Sequence, residues 1–149
     1  MIQCGLHING IPQNHGIGYQ SKCTKLILLA LAVAFTNFTA LTIANNSAAA
    51  TSSSYTATGG GLYVDYGEDV VMFNSIVWDN VADGSWSNVA LESTSILTSD
   101  YNNIGGGAGQ SWFGANSFAE DPQFTDENAG NYTLSLYSNL LGAGTASFD

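Results

Sequence analysis

Three adjacent carboxylate pairs, Glu68-Asp69, Glu120-Asp121 and Asp126-Glu127, are the side chains of this 149-residue sequence best suited by type to acid–base chemistry. Glycoside hydrolysis needs two carboxyls about 5 to 9 Å apart across one groove. Neighbours on a strand point to opposite faces, so none of these pairs converges on one groove if strand geometry holds there. Turn and solvated-surface roles suit them better. Stacking of Asp79 near Asp100 across successive repeats is the other route to a carboxylate pair. For calcium, Asp121, Asp126 and Glu127 lack the dense D-x-[DN]-x-[DN]-G spacing. For zinc, Cys4, His7, His15 and Cys23 have no regular spacing. The sequence thus names no catalytic residue, no metal ligand and no cofactor.

Aromatic side chains are the remaining lead. Trp86 in DGSWSN and Trp112 in GQSWFG sit in polar, glycine-containing segments, and Tyr66 joins them as a candidate carbohydrate contact. Exposed indoles and phenols stack on sugar rings while neighbouring Asn, Ser and Asp bond the hydroxyls. Packing over loop edges is the alternative.

Charge removes whole classes of partner. The formal net charge is -10, and the two positive side chains, Lys22 and Lys25, both precede the repetitive part. Nucleic acids and anionic membrane surfaces are held by lysine and arginine that displace counterions, so neither is an expected partner. Both cysteines, Cys4 and Cys23, lie near the N-terminus, either as a disulfide pair or as two free thiols, which leaves the rest without disulfide or thiolate chemistry.

The elements that would position these side chains are short strands. GGGLYVDYGEDVVMFNSIVWDN, from Gly59 to Asn80, packs a glycine turn, two β-rich runs and an asparagine stop into about twenty residues, the period of a solenoid turn. LTIANNSA, Leu41 to Ala48, shares a short β-rich run, an asparagine and a small-residue exit with SIVWDNVA, Ser75 to Ala82, at the end of that unit, and TSDYNNIGGG is a looser third copy. Stacked copies would align Asn46, Asn80 and Asn103 in an amide ladder, with Gly59 and Gly60 at a tight corner. Ile76 and Trp78 share one face and are assigned to the core. The apolar run LILLALAVAF, Leu26 to Phe35, follows both lysines. Three readings stay open for it: a secretory signal or membrane segment, a strand buried on both faces, or a cap over the end of the stack.

These residues resemble the right-handed parallel β-helix proteins of the pectate-lyase-like superfamily, specifically its bacterial secreted and surface members. GGGLYV is similar to the family's glycine turn and following strand, and NSIVWDN to its strand and asparagine turn. NSFAEDPQFTDENAGNYTLSLYSNLLGAGT, from Asn116 to Thr145, is similar to the tail that closes many such helices. It departs at Ser138-Asn139, where the family has Ser-Pro, which implies a looser last turn. The resemblance implies an all-β right-handed parallel β-helix (solenoid) of few coils, as a fragment carrying an N-terminal apolar segment. Its parts would be a leader over 1–36, coils over 37–115 and a closing segment over 116–149. Polyuronate lyases of this fold use basic residues with calcium, and no coil here has a basic side chain. The expectation is therefore a non-catalytic extracellular or bacterial cell-surface module, a stalk, adhesin or glycan contact, with a polysaccharide or cell-surface glycan as partner. The alternative is a fragment of a polysaccharide lyase or glycoside hydrolase whose catalytic coils lie upstream.

Overall fold

The computed structural model describes residues 2–3, 6–8, 36–50, 53–54 and 56–146. Cys4, His15, Lys22, Cys23, Lys25 and the apolar run from Leu26 to Phe35, with the readings made for them, lie outside these residues. Among the described residues every regular element is a strand, no helix occurs, and pairing is largely parallel.

The chain visits the same sheets in the same order on successive passes. The first pass comprises β1 (Ile2–Gln3), β2 (Leu6–Ile8), β3 (Thr36–Thr39), β4 (Thr42–Ala44) and β5 (Ser47–Ala48). The second comprises β6 (Ala57–Thr58), β7 (Leu62–Val64), β8 (Asp69–Phe73), β9 (Ile76–Trp78) and β10 (Val81–Ala82). After β11 (Ser85–Trp86) folds back antiparallel on β10, a third pass lays down β12 (Val89–Leu91), β13 (Ile96–Asp100) and β14 (Asn103–Ile104). The resulting three-stranded parallel sheets run β2-β7-β12, β3-β8-β13 and β4-β9-β14. Cross-pass partners of β3, β4 and β5 are 34 residues apart between the first and second passes, as in Asn46 and Asn80, and partners between the second and third passes are 27 apart, as in Ser75 and Asn102. Strands β1 and β2 reach across a longer interval, Ile2 pairing with Ala57 and Leu6 with Leu62. Strands β1 and β2, two and three residues long, fall within the stretch read from sequence as a leader, yet pair in parallel with β6 and β7. Elements so short leave no periodicity to detect.

Parallel register puts each inward side chain about one strand spacing, roughly 4.8 Å, from its equivalent. Val70 lies beside Leu97, and Phe38, Met72 and Ser99 form one column. Ile43, Val77 and Ile104 form another. The core collects Phe38, Leu62, Val64, Val70, Met72, Val77, Leu97 and Ile104. In β9 the buried residue is Val77, while Ile76 and Trp78 are only half-buried. The sequence assignment of Ile76 and Trp78 to the core is thereby corrected: the period of two was right and the parity was inverted.

Corners carry a second correction. Glycine was expected at the tight turns, and Gly59 does adopt φ 65. Yet the turn between the third and fourth sheets is made on all three passes by non-glycine residues with positive φ: Ala40, Asn74 and Tyr101, at 57, 52 and 54. Asparagine tolerates this region, whereas alanine and tyrosine enter it at a cost of about 1 kcal/mol or more. The flanking strands, locked in register on both sides, hold them there. Asp83 and Gly84, at φ 48 and 76, make the two-residue turn between β10 and β11, the Asp-Gly hairpin signal that lies inside DGSWSN.

The tail closes the third pass. Phe118 forms a parallel bridge to Asn103, and β15 (Phe124–Asp126) pairs antiparallel with β16 (Asn131–Leu134). Phe124 meets Tyr132 edge-on at 5.3 Å. Near the end of the tail, the Ser138 hydroxyl donates to the carbonyl of Pro122 at 2.7 Å and accepts from Leu140 N at 3.2 Å.

Candidate functional site

A directional chain of amide hydrogen bonds crosses the three passes. Asn46 donates through Nδ2 (2.8 Å) and its backbone N (3.0 Å) to Asn80 Oδ1. Asn80 in turn donates through Nδ2 (2.9 Å) and its backbone N (3.0 Å) to Asn88 Oδ1, and Asn88 Nδ2 donates to Gly105 O at 2.9 Å. Asn80 Nδ2 also reaches Ile43 O at 2.9 Å. Asn80 and Asn88 are buried, and buried amides are tolerated only when so satisfied. Two glycines make room for this chain: a Cβ on Gly61 would come within 2.8 Å of Asn80 Nδ2, and one on Gly105 within 2.7 Å of Asn88 Nδ2. Gly60 serves by close approach rather than by φ, its missing Cβ leaving space for the backbone of Val81.

Asn103 is not a rung of this ladder. It lies in register with Ile76 and grips the tail instead, its Oδ1 accepting from Glu120 N at 3.0 Å and its Nδ2 donating to Glu120 O at 2.9 Å. The third copy, TSDYNN, is thus shifted relative to the phase read from sequence. Asp100 pairs with Phe73, Tyr101 takes the corner of Asn74, and Asn102 takes the place of Ser75. A second ladder follows: Leu41 N donates to Ser75 Oγ (3.2 Å), Ser75 N to Asn102 Oδ1 (2.8 Å), and Asn102 N to Ser117 Oγ (3.2 Å). Asn74 makes a further clamp on the tail, donating to Thr145 O at 2.7 Å and accepting from Thr145 N at 2.8 Å.

Several carboxylates accept hydrogen bonds in turns and clamps. Glu68 sits in a tight turn, its N donating to Asp65 O at 3.2 Å. Asp121 accepts from Gln123 N at 2.8 Å and Asp126 from Ala129 N at 3.1 Å. Asp79 lies in the turn after β9, whereas Asp100 ends β13 in register with Phe73, so the two do not stack. No group of three metal-ligating side chains occurs among the described residues.

Two carboxyls titrate below their ordinary value of 3.8. For Asp83 the cause is the pair of N–H donors from Ala50, at 2.7 Å, and Ala57, at 2.6 Å. For Asp100 burial pushes upward, but donors from the Asn116 side chain, the Asn116 backbone and the Tyr101 backbone together outweigh it. A depressed carboxyl stabilises the fold above its unfolded value and loses that contribution as pH falls through the folded one. The melting temperature is therefore expected to decline as pH drops below about 4. An Asp83→Asn/Asp100→Asn variant should decline less steeply over the same range, and an equal slope would contradict the assignment.

Trp112 lines a cleft. The cleft measures about 470 Å³ and is lined by Ser87, Asn88, Val89, Leu91, Gly105, Gly106, Gln110 and Trp112. Trp112 is half-buried, rests against the core and meets Phe113 edge-on at 6.3 Å. Tyr66 is 62% exposed at the turn after β7, and the Glu92 carboxylate raises its phenol's pKa. Glu92 accepts from Tyr63 Oη at 2.7 Å and follows Leu91 of the cleft wall in the chain. Trp86 lies in β11, before the Ser87 that opens the cleft. Asn88 and Gln110 were not singled out from sequence. Asn88 stands only eight residues from Asn80, too close to suggest a stacked rung, because the β10–β11 hairpin folds it back.

No protein-family model, no curated protein and no solved structure matches the chain.

Proposed function

We propose that the chain is part of a right-handed parallel β-helix of the pectate-lyase-like superfamily, serving as a non-catalytic extracellular or bacterial cell-surface module that contacts glycans. The observation carrying this reading is the repeated strand order, with equivalent residues in register on successive passes and an amide ladder running through them. Such stacking makes a stiff scaffold whose loops present side chains. The acidic surface and the absence of lysine and arginine after Lys25 speak against acidic polysaccharides, which a lyase of this superfamily would need to hold. The carboxylates engaged in turns speak against a hydrolase pair.

Depolymerisation assays with the full chain on neutral and acidic polysaccharides test the proposal. No reducing ends or unsaturated products are expected. Turnover that survives repurification would overturn it in favour of a polysaccharide lyase or glycoside hydrolase.

A further inference from the structure

Resting on the reading of the chain as a glycan-contacting module, we infer that the cleft between β12 and the Trp112 loop takes an uncharged sugar unit of a neutral glycan. Three observations carry this: the position of the cleft, its lack of charge and the hydrogen-bonding capacity left in its walls.

Strand β12 is the last of its sheet, so its outer edge has no partner strand among the described residues. The tail covers the neighbouring edge of β14 by the bridge at Phe118 and leaves a gap beside β12. Val89, Leu91 and the Trp112 indole supply apolar lining, which suits the C–H face of a sugar ring. At about 470 Å³ the space lies within the range of small-molecule sites, roughly 300–1,000 Å³.

Among the described residues no charged side chain lines the cleft, although the chain carries a net charge of -10. A uronate carboxylate would lose water there without meeting a cation, and the surrounding surface would repel it. An ammonium group would find no carboxylate in the lining. Hydroxyl groups, which donate and accept, fit what remains. Ser87 Oγ accepts from Gly59 N at 3.0 Å, which leaves its own proton to donate. Gln110 is exposed, and its side-chain amide offers both a donor and an acceptor. Asn88 is occupied by Asn80 and Gly105, so it shapes the wall instead of bonding the ligand.

Affinity electrophoresis of the full chain tests this, with gels containing neutral polysaccharides (mixed-linkage β-glucan, xyloglucan, galactomannan) or acidic ones (polygalacturonate, alginate). Retardation is expected in at least one neutral gel and in neither acidic gel. Trp112→Ala should weaken it about tenfold. Because Trp112 also touches the core, Gln110→Ala is the second variant; its exposed side chain can be removed with the fold intact, and it should weaken retardation severalfold. Retardation by acidic gels alone would overturn neutral selectivity while leaving the glycan-contact reading in place. Neutral binding unchanged in both variants would overturn this cleft as the site. Absence of retardation in every gel would overturn both.

Discussion

Asn80→Ala should lower the stability of the chain by about 3 kcal/mol, read as a fall in the urea midpoint with little change in slope. The side chain is fully buried and bonds four partners: the backbone and the side chain of Asn46, the carbonyl of Ile43 and the amide of Asn88. Truncation leaves the Ile43 carbonyl and the Asn46 backbone N–H without their partners in a partly buried site and removes one of the two donors to Asn88 Oδ1. Each unmet buried group costs about 1–3 kcal/mol, and a domain's whole stability is roughly 5–15 kcal/mol. Asn103→Ala is the informative comparison. Its two bonds go to the backbone of Glu120, so its loss should expose the tail to proteolysis before the strands unfold. Equal loss of global stability in the two variants would contradict the separation of ladder from clamp.

Met72→Ala is expected to destabilise by about 2–5 kcal/mol, the range for a buried large-to-alanine change that leaves a cavity. Met72 has no exposed surface and stands in register between Phe38 and Ser99, so a void there opens all three passes at once. Met72→Leu should cost less than about 1.5 kcal/mol, because it conserves volume. A loss for alanine no larger than that for leucine would show that the column is not packed as described. Chemical denaturation followed by tryptophan fluorescence reads both.

How far these features were legible in the sequence differs element by element. The all-β, short-strand character followed from runs such as LYV and VVMF between turn residues, because β-branched and aromatic residues at period two have few other uses. Asn46 and Asn80 were legible because each follows a short β-rich run and precedes a small-residue exit. Asn88 was not, since a hairpin between Asn80 and Asn88 removes the sequence spacing that marks a rung. The phase of TSDYNN was misread because its two asparagines offer two alignments; the left-handed corner at Tyr101, which tyrosine does not advertise, decides between them. The parity of β9 was misread because tryptophan and isoleucine outweigh valine on any hydrophobicity count, while the register with Ile43 and Ile104 selects Val77. Trp112 was found as a candidate from its polar surroundings, but its partners in the cleft come from β12 and could not be joined to it by spacing.

Nuclear Overhauser contacts in the uniformly labelled full chain are the most direct test of the stacked parallel passes on which the proposed module rests. Parallel cross-strand contacts are predicted between Val70 and Leu97 and between Val77 and Ile104, alongside contacts from Asn46 to Asn80 and slowly exchanging Asn80 side-chain amide protons. Antiparallel contacts among these strands, or an Asn80 amide exchanging as freely as an exposed one, would contradict it.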